Sequence, residues 1–211
     1  MKWTQIPLGP LQTNAYVLEN DQKEAVIIDP GGDGPAFIEW LKSQNIKPLA
    51  VLLTHAHFDH IGAVDDVRNA FGCPVYIHKN EQDWLGDPAK NGSARFMGEH
   101  AITVNAADHI IETEGTITIG SFSFSVYETP GHSPGSISFY IQQENIVFSG
   151  DALFAQSIGR TDLPGGDHQL LLESIHKKLL DLPEETIVAC GHGPTTTIGQ
   201  EMDGNPFLSG F

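Results

Sequence analysis

Nine short apolar runs recur along the chain: NAYVLEN, AVIID, LAVLLT, PVYIH, TITI, FSFSVYE, SISFYI, NIVFSG and TIVACG. They constrain the fold more than any other feature. Each is rich in Val, Ile, Phe or Tyr and is bounded by Gly, Pro, Asn or Asp, which is the chemistry of β-strands. VLENDQKEAVIID and SISFYIQQENIVFSGD read as hairpins with polar turns. Between the runs lie helical patterns: PAFIEWLKSQN after a Gly-rich turn, then GAVDDVRNAFG and HQLLLESIHKKLLDL. The mixture predicts an α/β protein built mostly from antiparallel hairpins. No Pro/Ser run, low-complexity tract or charged tail interrupts it, so one domain over residues 1–211 is expected.

Composition narrows the function classes. The formal net charge is -16, and nucleic-acid binding over a broad surface needs a basic face. We read the charge as a solvated acidic surface, offset locally where divalent cations bind. No apolar run is long enough to span a bilayer, and MKWTQIPLGP lacks the charged-then-apolar pattern of a signal peptide. Cys73 and Cys190 make no disulfide framework and fit a reducing compartment. A cytoplasmic protein with no membrane and no nucleic-acid partner is expected. Between Trp84 and His109, DPAKNGSARFMGE has turn formers and no firm period. It reads either as an active-site loop or as a surface insertion.

The stretch LLTHAHFDHIG, residues 52–62, carries the chemistry. His55, His57 and His60 cannot face one way as a set on a regular strand or helix, but a loop after LAVLLT can converge them. Asp59 adds a hard oxygen ligand beside the imidazoles. Such a mixed N/O set suits Zn(II), Fe or Mn better than a thiolate-selective metal. Three later segments repeat the pattern of a strand followed by a polar ligand. VYETPGHSPGS places His132 in a Gly/Pro turn, NIVFSGDALF places Asp151, and TIVACGHGPTT places His192. Each alone has a plain structural reading as a turn or a helix cap. Their combination in this order points to a metal site on loops held by a scaffold.

With these motifs and IIDPGG, the sequence resembles the metallo-β-lactamase superfamily over nearly its whole length. The resemblance implies a four-layer αβ/βα sandwich with a metal site at one edge. It implies that His55, His57 and His132 bind one metal ion. It further implies that Asp59, His60 and His192 bind a second, with Asp151 bridging the pair. The common zinc β-lactamases carry a Cys where this chain has Asp151. That difference, with TPGHSPGS, FSGDALF and GHGPTTTIGQE, points toward the glyoxalase II-like hydrolases. Full-length glyoxalase II enzymes have a C-terminal helical domain that supplies much of the glutathione site. The stretch after His192 is too short for that domain, and the chain is similar to compact bacterial forms.

Further residues have two readings each. Asp29 in IIDPGG either orients a ligating imidazole, as in relatives, or serves as a turn former. Arg160 in GRTD either binds a substrate carboxylate or pairs with Asp162, and the second reading is preferred. Cys190 reads as a small buried strand residue. His78, His100, His109, His168 and His176 lack ligand-like partners and are taken as non-ligands. The leading expectation is a metal-dependent hydrolase with two divalent ions, zinc first and Fe or Mn as alternatives. Attack by a metal-bridging hydroxide would cleave a small hydroxyacyl thioester such as S-lactoylglutathione, with Asp59 and Asp151 as the carboxylates at the centre. The nearest alternative is a persulfide dioxygenase with one iron held by two His and an Asp. A nuclease and a non-catalytic metal-binding protein rank below it.

Overall fold

Polar turns fold the first apolar runs back on one another. The chain passes from β1 (Lys2–Leu8) into β2 (Thr13–Glu19) and β3 (Glu24–Ile28), paired antiparallel. At the second turn Asn20 Oδ1 accepts from the backbone N–H groups of Gln22 and Glu24, and Lys23 adopts a left-handed conformation. This side-chain mimic of a backbone turn is the habit of Asn that makes such hairpins readable.

The computed structural model describes residues 1–209; residues 210 and 211 of the expected 1–211 domain lie outside them. It resolves two compact units, Met1–Glu112 with Thr118–Phe122, and Thr113–Ile117 with the described residues from Ser123 onward. The first unit continues with α1 (Gly34–Ser43), β4 (Lys47–Leu52), α2 (Phe58–Ile61), α3 (Val64–Phe71), β5 (Val75–His78), α4 (Ser93–Met97) and β6 (His109–Ile111). Its sheet runs β1-β2-β3-β4-β5-β6, and from β3 onward every pairing is parallel. The expectation of mostly antiparallel hairpins misses this run. A hairpin shows itself in its turn, whereas parallel neighbours meet only through crossover segments whose packing no local stretch displays. β2 and most of β3 and β4 are buried on both faces, as a sheet covered on each side requires. Val17, Ile27, Val51, Phe37, Leu41 and Val67 form the heart of this core.

The chain continues with β7 (Gly115–Ile119) and β8 (Phe122–Glu128), both divided between the two units, and the second unit contains β9 (Ile137–Ile141), β10 (Ile146–Gly150), β11 (Leu153–Phe154), β12 (Ser157–Ile158), α5 (His168–Ser174), β13 (Ile187–Cys190), β14 (Thr196–Thr197) and α6 (Ile198–Gly204). Its main sheet runs β14-β13-β10-β9-β8-β7, with β10 and β13 parallel and β9 antiparallel to both β8 and β10. Asp167 caps α5 by accepting from Leu170 N at 3.0 Å. The helical pattern continues past α5 as a wider turn over Ile175–Leu179, which keeps Leu171, Ile175 and Leu179 in the core. Among the described residues no helix is long and apolar enough to cross a membrane.

Candidate metal centre

In the first unit the ligand-type residues cluster where β4 ends. His55 and His57 lie on the loop, while Asp59 and His60 occupy the single turn of α2. His55, His57 and His60 are all nearly inaccessible to solvent. The His55 ring is 4.1 Å from that of His60 and 4.8 Å from that of His57, centroid to centroid. Ligand-type atoms of Asp29, His55 and His60 lie within 4.8 Å of one another.

Asp29 follows β3 and takes a left-handed backbone, φ 49°. Its buried carboxylate accepts from Thr54 N at 2.8 Å and Thr54 Oγ1 at 2.6 Å, and it meets His60 Nδ1 at 2.9 Å. Both sequence readings have a counterpart here: the left-handed backbone of a turn former and the contact with an imidazole. A carboxylate only accepts, so His60 carries its proton on Nδ1 and presents the Nε2 lone pair. Thr54 has spent its hydroxyl proton on Asp29. Its oxygen therefore accepts from His55 Nδ1, 3.1 Å away, which leaves the His55 Nε2 lone pair presented as well. These tautomers are assigned from the partners' donor and acceptor capacity. Asp59 is held from β2, where the buried Thr13 hydroxyl donates to Asp59 Oδ2 at 2.9 Å.

The second unit hangs its ligand-type residues on separate strand ends. His132 lies in the turn after β8, Asp151 directly after β10, and His192 after β13. His132 Nδ1 meets the Arg160 carbonyl at 2.8 Å. A carbonyl also only accepts, so His132 too presents an Nε2 lone pair. Asp151 Oδ2 lies 3.6 Å from Nε2 of His132 and 3.6 Å from Nε2 of His192. In the first unit Asp59 Oδ2 is 3.7 Å from His60 Nε2. Around one zinc ion, tetrahedral ligands at ordinary bond lengths are separated by about 3.3 Å. The donor sets thus fit a divalent ion in chemistry, tautomer and spacing.

Two glycines press against these loops. A β-carbon on Gly31 would overlap the Asp59 carbonyl oxygen, and one on Gly159 would overlap the Asp151 carbonyl oxygen. IIDPGG and SIGRTD therefore contribute bare backbone as well as side chains.

The sequence matches the metallo-beta-lactamase superfamily over residues 8–192. The chain belongs to that superfamily. It is 52% identical over 211 residues to the probable metallo-hydrolase YqgX of Bacillus subtilis strain 168, covering 100% of this chain and 99% of that one. It is 38% identical to hydroxyacylglutathione hydrolase GloC of Haemophilus influenzae, covering 97% and 96%. Among solved structures, the BLEG-1 B3 metallo-beta-lactamase superposes with TM-score 0.97 at 66% identity, covering 99% of this chain and 100% of that one. TTHA1623 in a di-iron-bound form superposes with TM-score 0.86 at 43% identity, covering 97% and 100%. The fold is accordingly that of the metallo-beta-lactamases. At the level of class this member is a metallo-hydrolase with a His/Asp cluster able to hold metal.

The remaining expectations fall out individually. Arg160 makes a two-pronged ion pair with Asp162, at 2.7 and 2.8 Å, on an exposed loop. Cys190 is buried, and desolvation pushes its thiol up to about 11. Its Sγ–H donates to the His192 and Pro194 carbonyls, so it fastens the His192 loop. His78 accepts from Asn80 N, and His109 stacks on Tyr76. The 84–109 segment joins the ligand loop: Phe58 N donates to Asn91 O at 3.0 Å, and Phe58 stacks on Phe96. Thr13, Thr54 and Glu81 escaped the sequence reading. They carry no ligand signature, and their contacts span 46, 25 and 25 residues for Thr13–Asp59, Thr54–Asp29 and Glu81–Ala56.

Proposed function

We propose that the chain is a binuclear metal-dependent thioester hydrolase of the glyoxalase II-like kind. In this reading His55, His57 and His132 hold one ion, Asp59, His60 and His192 hold the other, and Asp151 is shared. The observation that carries it is the set of Nε2 lone pairs on His55, His60 and His132, each fixed by an acceptor on the far ring nitrogen. The two equal separations from Asp151 Oδ2 support its shared role. When bound, the ions supply Lewis acidity at a carbonyl oxygen and bring the pKa of water to about 7. The chain's own part is to hold seven donors rigid, with the protons of the three imidazoles turned away from the ions.

Zinc is the first candidate metal, with iron close behind because the TTHA1623 relative is known in a di-iron form. The substrate we propose is a small hydroxyacyl thioester, tested first as S-lactoylglutathione. The GloC relative supports the acyl and carrier classes. No Ser or Cys nucleophile is required, and the buried Cys190 thiol is a poor one. Two buried cysteines that form no disulfide among the described residues support a reducing, cytoplasmic setting.

One second reading has its own support. At 66% identity, the BLEG-1 structure is named a B3 metallo-beta-lactamase, which favours β-lactam amide hydrolysis. The deciding experiment measures metal content and tests the same metallated protein three ways. Metal-dependent turnover of a thioester panel is expected. Turnover restricted to β-lactams, or oxygen consumption with a thiol persulfide and no hydrolysis, would replace the proposal. One ion per chain under saturating zinc would remove its binuclear part.

A further inference from the structure

The side chain buried beneath the His-rich loop is an acid that stands outside the proposed ligand set. Glu81 lies in the turn Lys79–Trp84 after β5 and has no solvent exposure. Its Oε2 accepts from the backbone N–H of Ala56 at 2.5 Å. Ala56 is the residue between His55 and His57. Further along the same turn, the Trp84 ring lies 5.9 Å from the His57 ring, centroid to centroid.

A buried carboxylate is costly to desolvate and persists only where its hydrogen bonds compensate. A backbone N–H in a loop at the end of β4 also needs a partner when buried. The Glu81–Ala56 contact meets both needs at once. It fixes the peptide that sets the separation and direction of the two flanking imidazoles. Asp29 and Thr54 brace the rings of His60 and His55 through their nitrogens. Glu81 reaches the main chain between the rings.

We infer that Glu81 is a positioning residue for metal binding, which sets the His55–His57 spacing by holding the Ala56 N–H. The inference rests on the proposed ligand role of those two histidines. Reach, rather than charge, is what the role demands. Glu81→Gln keeps an acceptor oxygen at the same reach. Glu81→Asp keeps the charge but draws the acceptor back by one methylene.

The test titrates apo forms of the unaltered chain and both variants with Co(II), reading affinity and the visible ligand-field spectrum, with thermal unfolding of each apo form alongside. Glu81→Gln should bind within about threefold of the unaltered chain with its spectrum unchanged. Glu81→Asp should lose about 10- to 100-fold in affinity, the usual scale for residues behind metal ligands, with an altered spectrum. The reverse ranking would show that charge matters and would overturn the inference. Equal affinities and spectra in both variants would overturn it too, as would losses that merely follow apo stability. Failure of the unaltered chain to bind Co(II) would instead count against the ligand assignment itself.

Discussion

The two units hold their ligand-type residues by different means. In the first, four candidates fall within His55–His60, and other side chains brace them from behind: Asp29 and Thr54 on the rings, Thr13 on Asp59, Glu81 on the peptide. In the second, His132, Asp151 and His192 hang from three separate strand ends. There a main-chain carbonyl, that of Arg160, meets His132, and a side chain, the Cys190 thiol, holds the His192 carbonyl. His192 is also the more open imidazole, with a side chain 31% exposed against 0% for His60. A loop that packs many ligands into one turn cannot satisfy its polar groups with regular backbone pairing. It needs buried side chains as partners. Single ligands at strand ends already have the sheet behind them.

The comparison breaks first if Asp151 is dispensable. Asp151→Ala should lower activity by on the order of 100-fold or more, whereas His176→Ala, in the widened turn after α5, should leave it nearly intact. Similar losses in two folded variants would sink the shared-ligand assignment. Next, Asp29→Ala strips an acceptor from His60 and removes the acceptor of the Thr54 N–H and hydroxyl. Metal affinity should fall by about 10- to 100-fold, and apo stability by about 1–3 kcal/mol. Calorimetric titration with zinc and urea unfolding of the apo protein measure the two effects.

A smaller effect concerns the His192 loop. The Cys190 thiol titrates near 11 in the folded chain, above its ordinary value of 9.0, because burial disfavours the thiolate. The raised folded value means that this stability is intact below the ordinary pKa. It is lost as pH rises through the window from 9.0 to about 11, since the unfolded chain ionises first. Urea midpoints of the apo protein should fall across that window, and Cys190→Ser should flatten the fall. A slope unchanged by the substitution would assign the effect elsewhere. The smallest effect sharpens the contrast most. Arg160→Ala removes an exposed ion pair but keeps the carbonyl that meets His132. Metal affinity should stay within about twofold and stability within about 0.5 kcal/mol. A large loss of affinity would show that the His132 turn, too, depends on side-chain bracing.

By itself the sequence determined β2 to β5, β7 to β10 and β13 and the two hairpins, though not β1, β6 or the short β11, β12 and β14, because the signals of the former are local: alternating or continuous apolar runs closed by Asn, Gly and Asp. It also determined the ligand candidates, because HAHFDH concentrates metal-binding groups beyond any structural need. The motif order was enough to name the superfamily. Tertiary structure alone decided the parallel run from β3 to β6, the contacts of Asp29 with Thr54 and His60, and the packing of the 84–109 segment on Phe58. It alone exposed Thr13, Thr54 and Glu81. A threonine or glutamate has no distinctive spacing when its partner lies 25 or 46 residues away. Its role comes from burial next to a polar group that must be satisfied, and burial is a property of the packed chain.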